Sequence, residues 1–331
     1  MKRTKILLDE TDFCSQPDYP REGHNLISCS TVEELGRYWL KQRIGKVKRS
    51  TYSGYRYCVD RYILPMLGEI PLEELKETDI RAFIMKLQKQ GLAETTIHSI
   101  LIALKSVLRF GVQCDLLREN LVSCCSVNCH KSEARILTIG ESADMKSYLL
   151  KKNSIFALSI LLCRGTGIRV GELCGLKWGD IDFASNSIKI RRTVSRIPNP
   201  HFSEGQPRTI LYIRTPKSHA SAREVPIPGY LREALQAFKG REELYVLTGR
   251  ETCTEPRNIQ KKFKTVLRNC GMQECNFHAM RHGFATACLE SGMDCKTVSS
   301  ILGHSSTHVT MDFYMHTTMR QKQACVDAIE A

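Results

Sequence analysis

Six residues spread along the C-terminal half of this chain could together transfer a phosphoryl group: Arg169, Lys217, His278, Arg281, His304 and Tyr314. Tyr314 closes the string Thr310-Met311-Asp312-Phe313-Tyr314, ten residues after the Gly303-His304 pair. A phenol with a pKa of about 10 is a poor nucleophile until cations surround it. If it attacks a phosphodiester, negative charge spreads over the non-bridging oxygens of a pentavalent transition state. Guanidinium is the best fixed donor for that charge, being planar, always ionised and bidentate. Arg169 lies in Gly165-Thr166-Gly167-Ile168-Arg169-Val170-Gly171-Glu172-Leu173, where glycines permit a tight turn into a helix and a close backbone approach to a ligand. Arg281 follows His278 by three residues, which places both on one face of a helix.

The same reaction needs one proton taken from the attacking phenol and another given to the departing sugar oxygen. His278 suits the first task, and Lys217, at a hairpin tip, suits the second. His304 can donate a hydrogen bond to a non-bridging oxygen. Singly, each residue has a blander reading: an arginine paired with a carboxylate, a solvated turn lysine, a core histidine, one packed tyrosine among eleven. Their ordered occurrence, each inside its own short string, is what points to chemistry.

The elements that must position these groups fall into two lobes. Residues 1–30 mix charges with Pro17, Pro20 and Gly23 without a sustained period and read as a tail. Thr31-Val32-Glu33-Glu34 has capping-box form ahead of a stripe of Leu35, Tyr38 and Trp39, so a first helix begins there. A second helix is expected from near Ser50 to just before Pro65, a third from about Thr78 to Gln90, and a fourth from about Glu94 to Val112. They make a four-helix unit over residues 31–115, followed by a polar, cysteine-rich linker over 116–135. The second lobe, residues 136–331, opens with helices at Ile139 to Lys151 and Ile155 to Arg164. Strand, turn and strand are expected from Trp178 to Arg192, with further strands at Thr209 to Thr215 and Arg223 to Ile227. From about Tyr230 onward the pattern is helical, ending in a short tail helix over Arg320 to Ala331. The fold class is therefore mainly α with a small β-sheet.

Composition narrows the partner. Lys and Arg number 48 against 35 Asp and Glu, a surplus of 13 positive charges that favours a polyanion, nucleic acid first. The densest basic run is Lys41, Arg43, Lys46, Lys48 and Arg49, continued by Arg56, with tyrosines at 52, 55, 57 and 62 interleaved to offer hydroxyls to a phosphate backbone. These six cations are the candidate DNA contacts. The cysteines number fifteen, an odd total, and the Ile6-Leu7-Leu8 patch is too brief for a secretory core, so a cytoplasmic, reducing location with free thiols is expected. The longest apolar run, Ile155 to Cys163, reads as a buried helix and no membrane partner is expected. Cys124-Cys125-Ser126-Val127-Asn128-Cys129-His130 lacks a second ligand pair at finger-like spacing and reads as linker, leaving no metal site.

These strings resemble those of the tyrosine recombinases, the phage and transposon integrase family, from Thr31 to the C-terminus. Gly-Thr-Gly-Ile-Arg-Val-Gly-Glu-Leu carries the first arginine as Arg169, and Thr215-Pro216-Lys217-Ser218 carries the strand-turn lysine. His278-x-x-Arg281-His282 gives the central pair, Leu302-Gly303-His304-Ser305 the late histidine, and Tyr314 stands where the family's nucleophile does. The resemblance implies a helical core-binding domain and a mixed α/β catalytic domain that clamp double-stranded DNA. It implies a 3'-phosphotyrosyl intermediate formed without ATP, metal or other cofactor, and four protomers assembled on two DNA sites. Two features depart from the compact members: the Val194 to Arg208 connection, with Pro198, Pro200 and Pro207, is long, and the segment before Thr31 looks short for a separate arm-site domain. The long connection favours an integrase of a mobile element, with excision or DNA-bending accessory proteins left open. The alternatives are a Xer-like chromosome or plasmid resolvase, a type IB topoisomerase, and a regulator that binds DNA through the fold without catalysis.

Overall fold

The structure is a computed structural model that describes residues 6–8, 29–124, 135–199, 205–215 and 223–303. Lys217, His304, Tyr314, the tail helix over Arg320 to Ala331 and nearly all of the Cys124–His130 cluster lie outside the described residues. The chain divides into two compact units: Glu10–Ser132 with Ile197–Ile210, and Met1–Asp9 with Glu133–Arg196 and Leu211–Ala331.

The first unit is helical. Helix α1 (Val32–Arg43) starts where the capping sequence requires, Thr31 Oγ1 accepting the Glu34 amide at 3.3 Å while the Glu34 carboxylate accepts the Ser30 amide at 2.7 Å. Helix α2 (Arg49–Cys58) does not stop before Pro65. It widens into a π-helical turn, Val59–Ile63, and continues as α3 (Leu64–Leu67), with Pro65 in the first turn of α3. A proline inside a helix clashes with the carbonyl four residues back and removes a donor, and a π turn just before it is a known accommodation. Helices α4 (Glu77–Lys89) and α5 (Glu94–Gln113) follow the expected periods. Trp39, Ile63, Ile80, Leu87, Ile97, Ile100, Leu104 and Leu108 are fully buried between these helices. Helix α5 is long and apolar enough to cross a membrane, but its apolar face is the core of this unit.

The second unit surrounds α7 (Ile155–Thr166), which is buried on nearly every side. Helix α6 (Ile139–Leu150) precedes it, capped reciprocally by Thr138 and Glu141 at 3.2 and 2.9 Å. Gly167 ends α7 in the left-handed region at φ +65, and two residues later α8 (Val170–Cys174) begins with Arg169 as its N-cap. Trp178–Asp180 is a 3₁₀ turn rather than strand, so the expected strand pair is shorter: β2 (Ile181–Asp182) and β3 (Ser187–Lys189), joined through Asn186 at φ +53. With β6 (Glu224–Pro226) they form an antiparallel sheet in the order β2-β3-β6.

A second sheet, in the order β1-β5-β4, joins β1 (Ile6–Leu8), β4 (Thr193–Pro198) and β5 (Thr209–Arg214). Two expectations change here. Residues 6–8, read as tail, pair in parallel with β5, Leu7 opposite Tyr212, and part of the connection from Val194 is strand. Both depend on pairing across the chain, which three apolar residues or a proline-rich stretch do not announce. Among the described residues, four helices complete the unit: α9 (Gly229–Ala237), α10 (Pro256–Asn269), α11 (His278–Glu290) and α12 (Cys295–Leu302). Helix α11 lies against α7, and α12 packs on α11 through Ala285, Leu289, Val298 and Leu302.

Candidate active site

Three strings distant in sequence meet at the C-terminal end of α12. That end offers carbonyl oxygens with no partner inside the helix, and it carries the negative end of the helix dipole. Arg281, with 4% of its surface exposed, donates from Nη2 to the Leu302 oxygen at 2.7 Å and from Nη1 to the Gly167 oxygen at 2.8 Å. Arg169 donates from Nη1 to the same Leu302 oxygen at 3.3 Å and from Nη2 to the Gly303 oxygen at 3.1 Å. Burial, then repulsion from Arg169, pushes the Arg281 pKa down, yet guanidinium stays ionised at neutral pH. The Arg169 side chain remains 39% exposed, so it can reach a ligand while tethered.

Glycine is required at both carbonyl positions. Gly167 and Gly303 adopt φ +65 and +64, and a Cβ at Gly167 would stand 2.5 Å from Phe284 Cδ1 and 2.6 Å from Leu302 Cδ2.

The charge of the cluster is set by Glu172, in the first turn of α8. One of its oxygens accepts the Arg169 amide at 2.8 Å and the other accepts Arg169 Nη1 at 2.9 Å. Arg223, at the entry to β6, grips both oxygens at 2.9 and 3.0 Å. Burial alone would raise this carboxyl, but Arg223 and then Arg169 overcome it and hold the pKa down to about 2. Among the described residues, three guanidinium groups therefore surround one carboxylate here, a local surplus of positive charge suited to an anionic ligand.

His278 opens α11, one turn before His282, and the two rings meet edge to face with centroids 4.7 Å apart. Burial first, then His282, Arg281 and Arg169, lower the His278 pKa from 6.5 to about 4. Its imidazole is thus neutral at pH 7 and able to accept a proton. Among the described residues, no cluster of His, Cys, Asp and Glu is arranged to hold a metal ion.

Of the six candidate residues, the structure brings Arg169, His278 and Arg281 together, and the other three lie outside the described residues. Sequence reasoning passed over Glu172, Arg223 and the backbone oxygens. Glu172 had a signal, since it stands three residues after Arg169 where a helix-start carboxylate satisfies free amides. Arg223 had none beyond its place at a strand end.

The basic run lies at the corner between α1 and α2. Lys41, Lys46 and Lys48 are exposed, and the Arg43 guanidinium lies over the Trp39 ring at 5.2 Å. Lys46 donates to Gln42 at 3.4 Å, Arg49 is half-buried, and Arg56 pairs with Asp60 at 3.1 Å. A second basic face was not foreseen: Arg257, Lys261, Lys264 and Arg268 are exposed along one side of α10, Lys264 pairing with Glu274 at 2.7 Å.

Comparison with known proteins agrees with this geometry. Residues 130–321 match the phage integrase family and residues 31–88 match the N-terminal SAM-like domain of phage integrases. The chain belongs to the phage integrase family, whose members are tyrosine-type site-specific DNA recombinases. A XerC-like tyrosine recombinase of Caldanaerobacter subterraneus is 29% identical over 90% of this chain and 82% of its own length. The transposase of transposon Tn916 from Enterococcus faecalis is 23% identical over 84% of this chain and 72% of its own length. Among solved structures, the Tn1549 transposon integrase in complex with a circular intermediate DNA superposes with a TM-score of 0.74 at 23% identity, covering 91% of this chain and all of that one. A lambda integrase dimer bound to a core site gives 0.62 at 19% identity, covering 84% and 96%.

Proposed function

We propose that this chain is the integrase of a mobile genetic element and that Tyr314 is its nucleophile. Its phenolic oxygen attacks the scissile phosphorus while its proton passes to His278. The phosphorus–O5' bond breaks, Lys217 gives a proton to the departing oxygen, and a 3'-phosphotyrosine and a 5'-hydroxyl result. Arg169, Arg281 and His304 donate to the non-bridging oxygens throughout. Attack by the 5'-hydroxyl of a partner duplex reverses these steps onto a new strand and frees the tyrosine.

The observation that carries this reading is the convergence of Arg169 and Arg281 on the carbonyls of Leu302 and Gly303, beside a neutral His278. Gly303 precedes His304 in the sequence, in keeping with this reading. The basic corner of α1 and α2, with the basic face of α10, would track the DNA backbone. By analogy with the lambda integrase tetramer bound to a Holliday junction, four protomers would assemble on two sites in the cytoplasm. The task of a mobile element is favoured by the transposon relatives. The XerC-like relative supports a second reading, resolution of chromosome or plasmid multimers.

Two duplexes carrying the sequences that flank its gene, incubated with the protein in EDTA without ATP, test the reading. Recombinant strands are expected. Relaxation of a supercoiled circle without strand exchange would instead identify a topoisomerase, and DNA binding alone a regulator.

A further inference from the structure

Arg223 has 6% of its side chain exposed and uses all three of its donor nitrogens inside the site. Nη1 and Nη2 grip the two oxygens of Glu172, and Nε donates to the carbonyl oxygen of Ile301 at 2.6 Å. It also walls in the end of α12, because a Cβ at Gly303 would stand 2.9 Å from Arg223 Cδ. Yet it hydrogen-bonds to none of Arg169, His278 and Arg281.

Glu172 orients Arg169 through two contacts, one to its amide and one to Nη1. A carboxylate held at a single oxygen can rotate; one held by a fork of two parallel N–H donors has one orientation. Arg223 supplies that fork from a different element, and its third donor fixes the last turn of α12, whose carbonyls hold both remaining guanidiniums. The arrangement is costly to bury, since removal of one partner would leave an uncompensated charge, so it is unlike an incidental surface pair. Lysine could not replace it, having no fork to offer.

We propose that Arg223 is a positioning residue for phosphate activation: by fixing Glu172 and the Ile301 carbonyl it aims Arg169 at the phosphate and holds the last turn of α12. This inference rests on the recombinase reading above.

The test uses Arg223→Lys, which keeps charge and bulk, and the double variant Arg223→Met with Glu172→Gln, which leaves no orphaned carboxylate. Each is compared with the parent for melting temperature, affinity for a nicked duplex carrying the element's end sequence, and single-turnover cleavage. Cleavage is read on a normal phosphodiester and on a methylphosphonate, whose neutral linkage asks less of a guanidinium. For Arg223→Lys we expect DNA affinity within about twofold of the parent and cleavage of the phosphodiester slower by about tenfold or more. On the methylphosphonate the deficit should shrink to less than about threefold. The double variant should follow the same pattern. Equal losses on both linkages, or a phosphodiester rate close to that of the parent, would overturn the proposal by reducing Arg223 to a packing element. Absence of any adduct with the parent protein would instead remove the recombinase reading, and this inference with it.

Discussion

Arg169 and Arg281 donate to one and the same backbone oxygen, that of Leu302, at 3.3 and 2.7 Å. Two like charges are thus held side by side by the negative end of a helix, with the Glu172 carboxylate to temper them. The carbonyls of α12 offset the repulsion, and both cations keep charge to spare for a phosphate.

Conservative changes to either guanidinium should therefore spare binding and cripple chemistry. Arg169→Lys or Arg281→Lys is expected to lower the cleavage rate by about 10²–10³ while site affinity changes little, because the lost donors act mainly on transition-state charge. Rapid-quench cleavage and gel-shift titration on one duplex separate the two effects.

His278 makes stability depend on pH in a predictable direction. Its folded pKa is lowered to about 4 from 6.5, so the unfolded chain takes up this proton more readily than the folded one. The contribution is complete above pH 6.5 and is lost as pH falls toward about 4; His282, also lowered, acts in the same sense. Calorimetry should show the melting temperature falling between pH 6.5 and 5, with a shallower fall in His278→Gln.

Gly167→Ala imposes a left-handed conformation on an L-residue and drives its methyl group into Phe284 and Leu302. The two penalties together are about 2–4 kcal/mol, read as a lowered denaturation midpoint. An alanine at half-buried Gly54 in α2, where no neighbour approaches the added Cβ within 4 Å, should leave the midpoint unchanged or raised.

Lys46→Glu with Lys48→Glu should weaken binding to all DNA sequences alike and flatten the dependence of log affinity on log salt, by about 0.9 for each phosphate no longer neutralised. Fluorescence anisotropy across a salt series measures both. Unaltered affinity would remove the corner of α1 and α2 from the DNA interface.

How much of this was legible in the sequence depended on whether the signal was local. Helices α1, α4, α5, α6 and α7 announce themselves through caps and apolar periods. The turn at Gly167 and the His278–Arg281 spacing placed three chemical groups correctly on their elements. What escaped was non-local: β1 exists because Leu7 finds Tyr212, and α3 continues past Pro65 because a π turn makes room for the ring. Glu172 was in plain view as a helix-start carboxylate, but nothing along the chain tied it to Arg223, which reaches it from the entry to β6. The backbone oxygens of Leu302 and Gly303 carry no side-chain signature, although they hold both arginines.

The central claim, that Tyr314 forms a covalent bond to DNA, is tested most directly by trapping. The protein is incubated with a nicked suicide duplex carrying the element's end sequence, denatured, digested, and analysed by mass spectrometry. A nucleotide linked through phosphate to the peptide containing Tyr314 is expected from the parent protein and none from Tyr314→Phe. A phosphotyrosyl adduct on another residue, or one that persists in Tyr314→Phe, would contradict the assignment of Tyr314 as nucleophile.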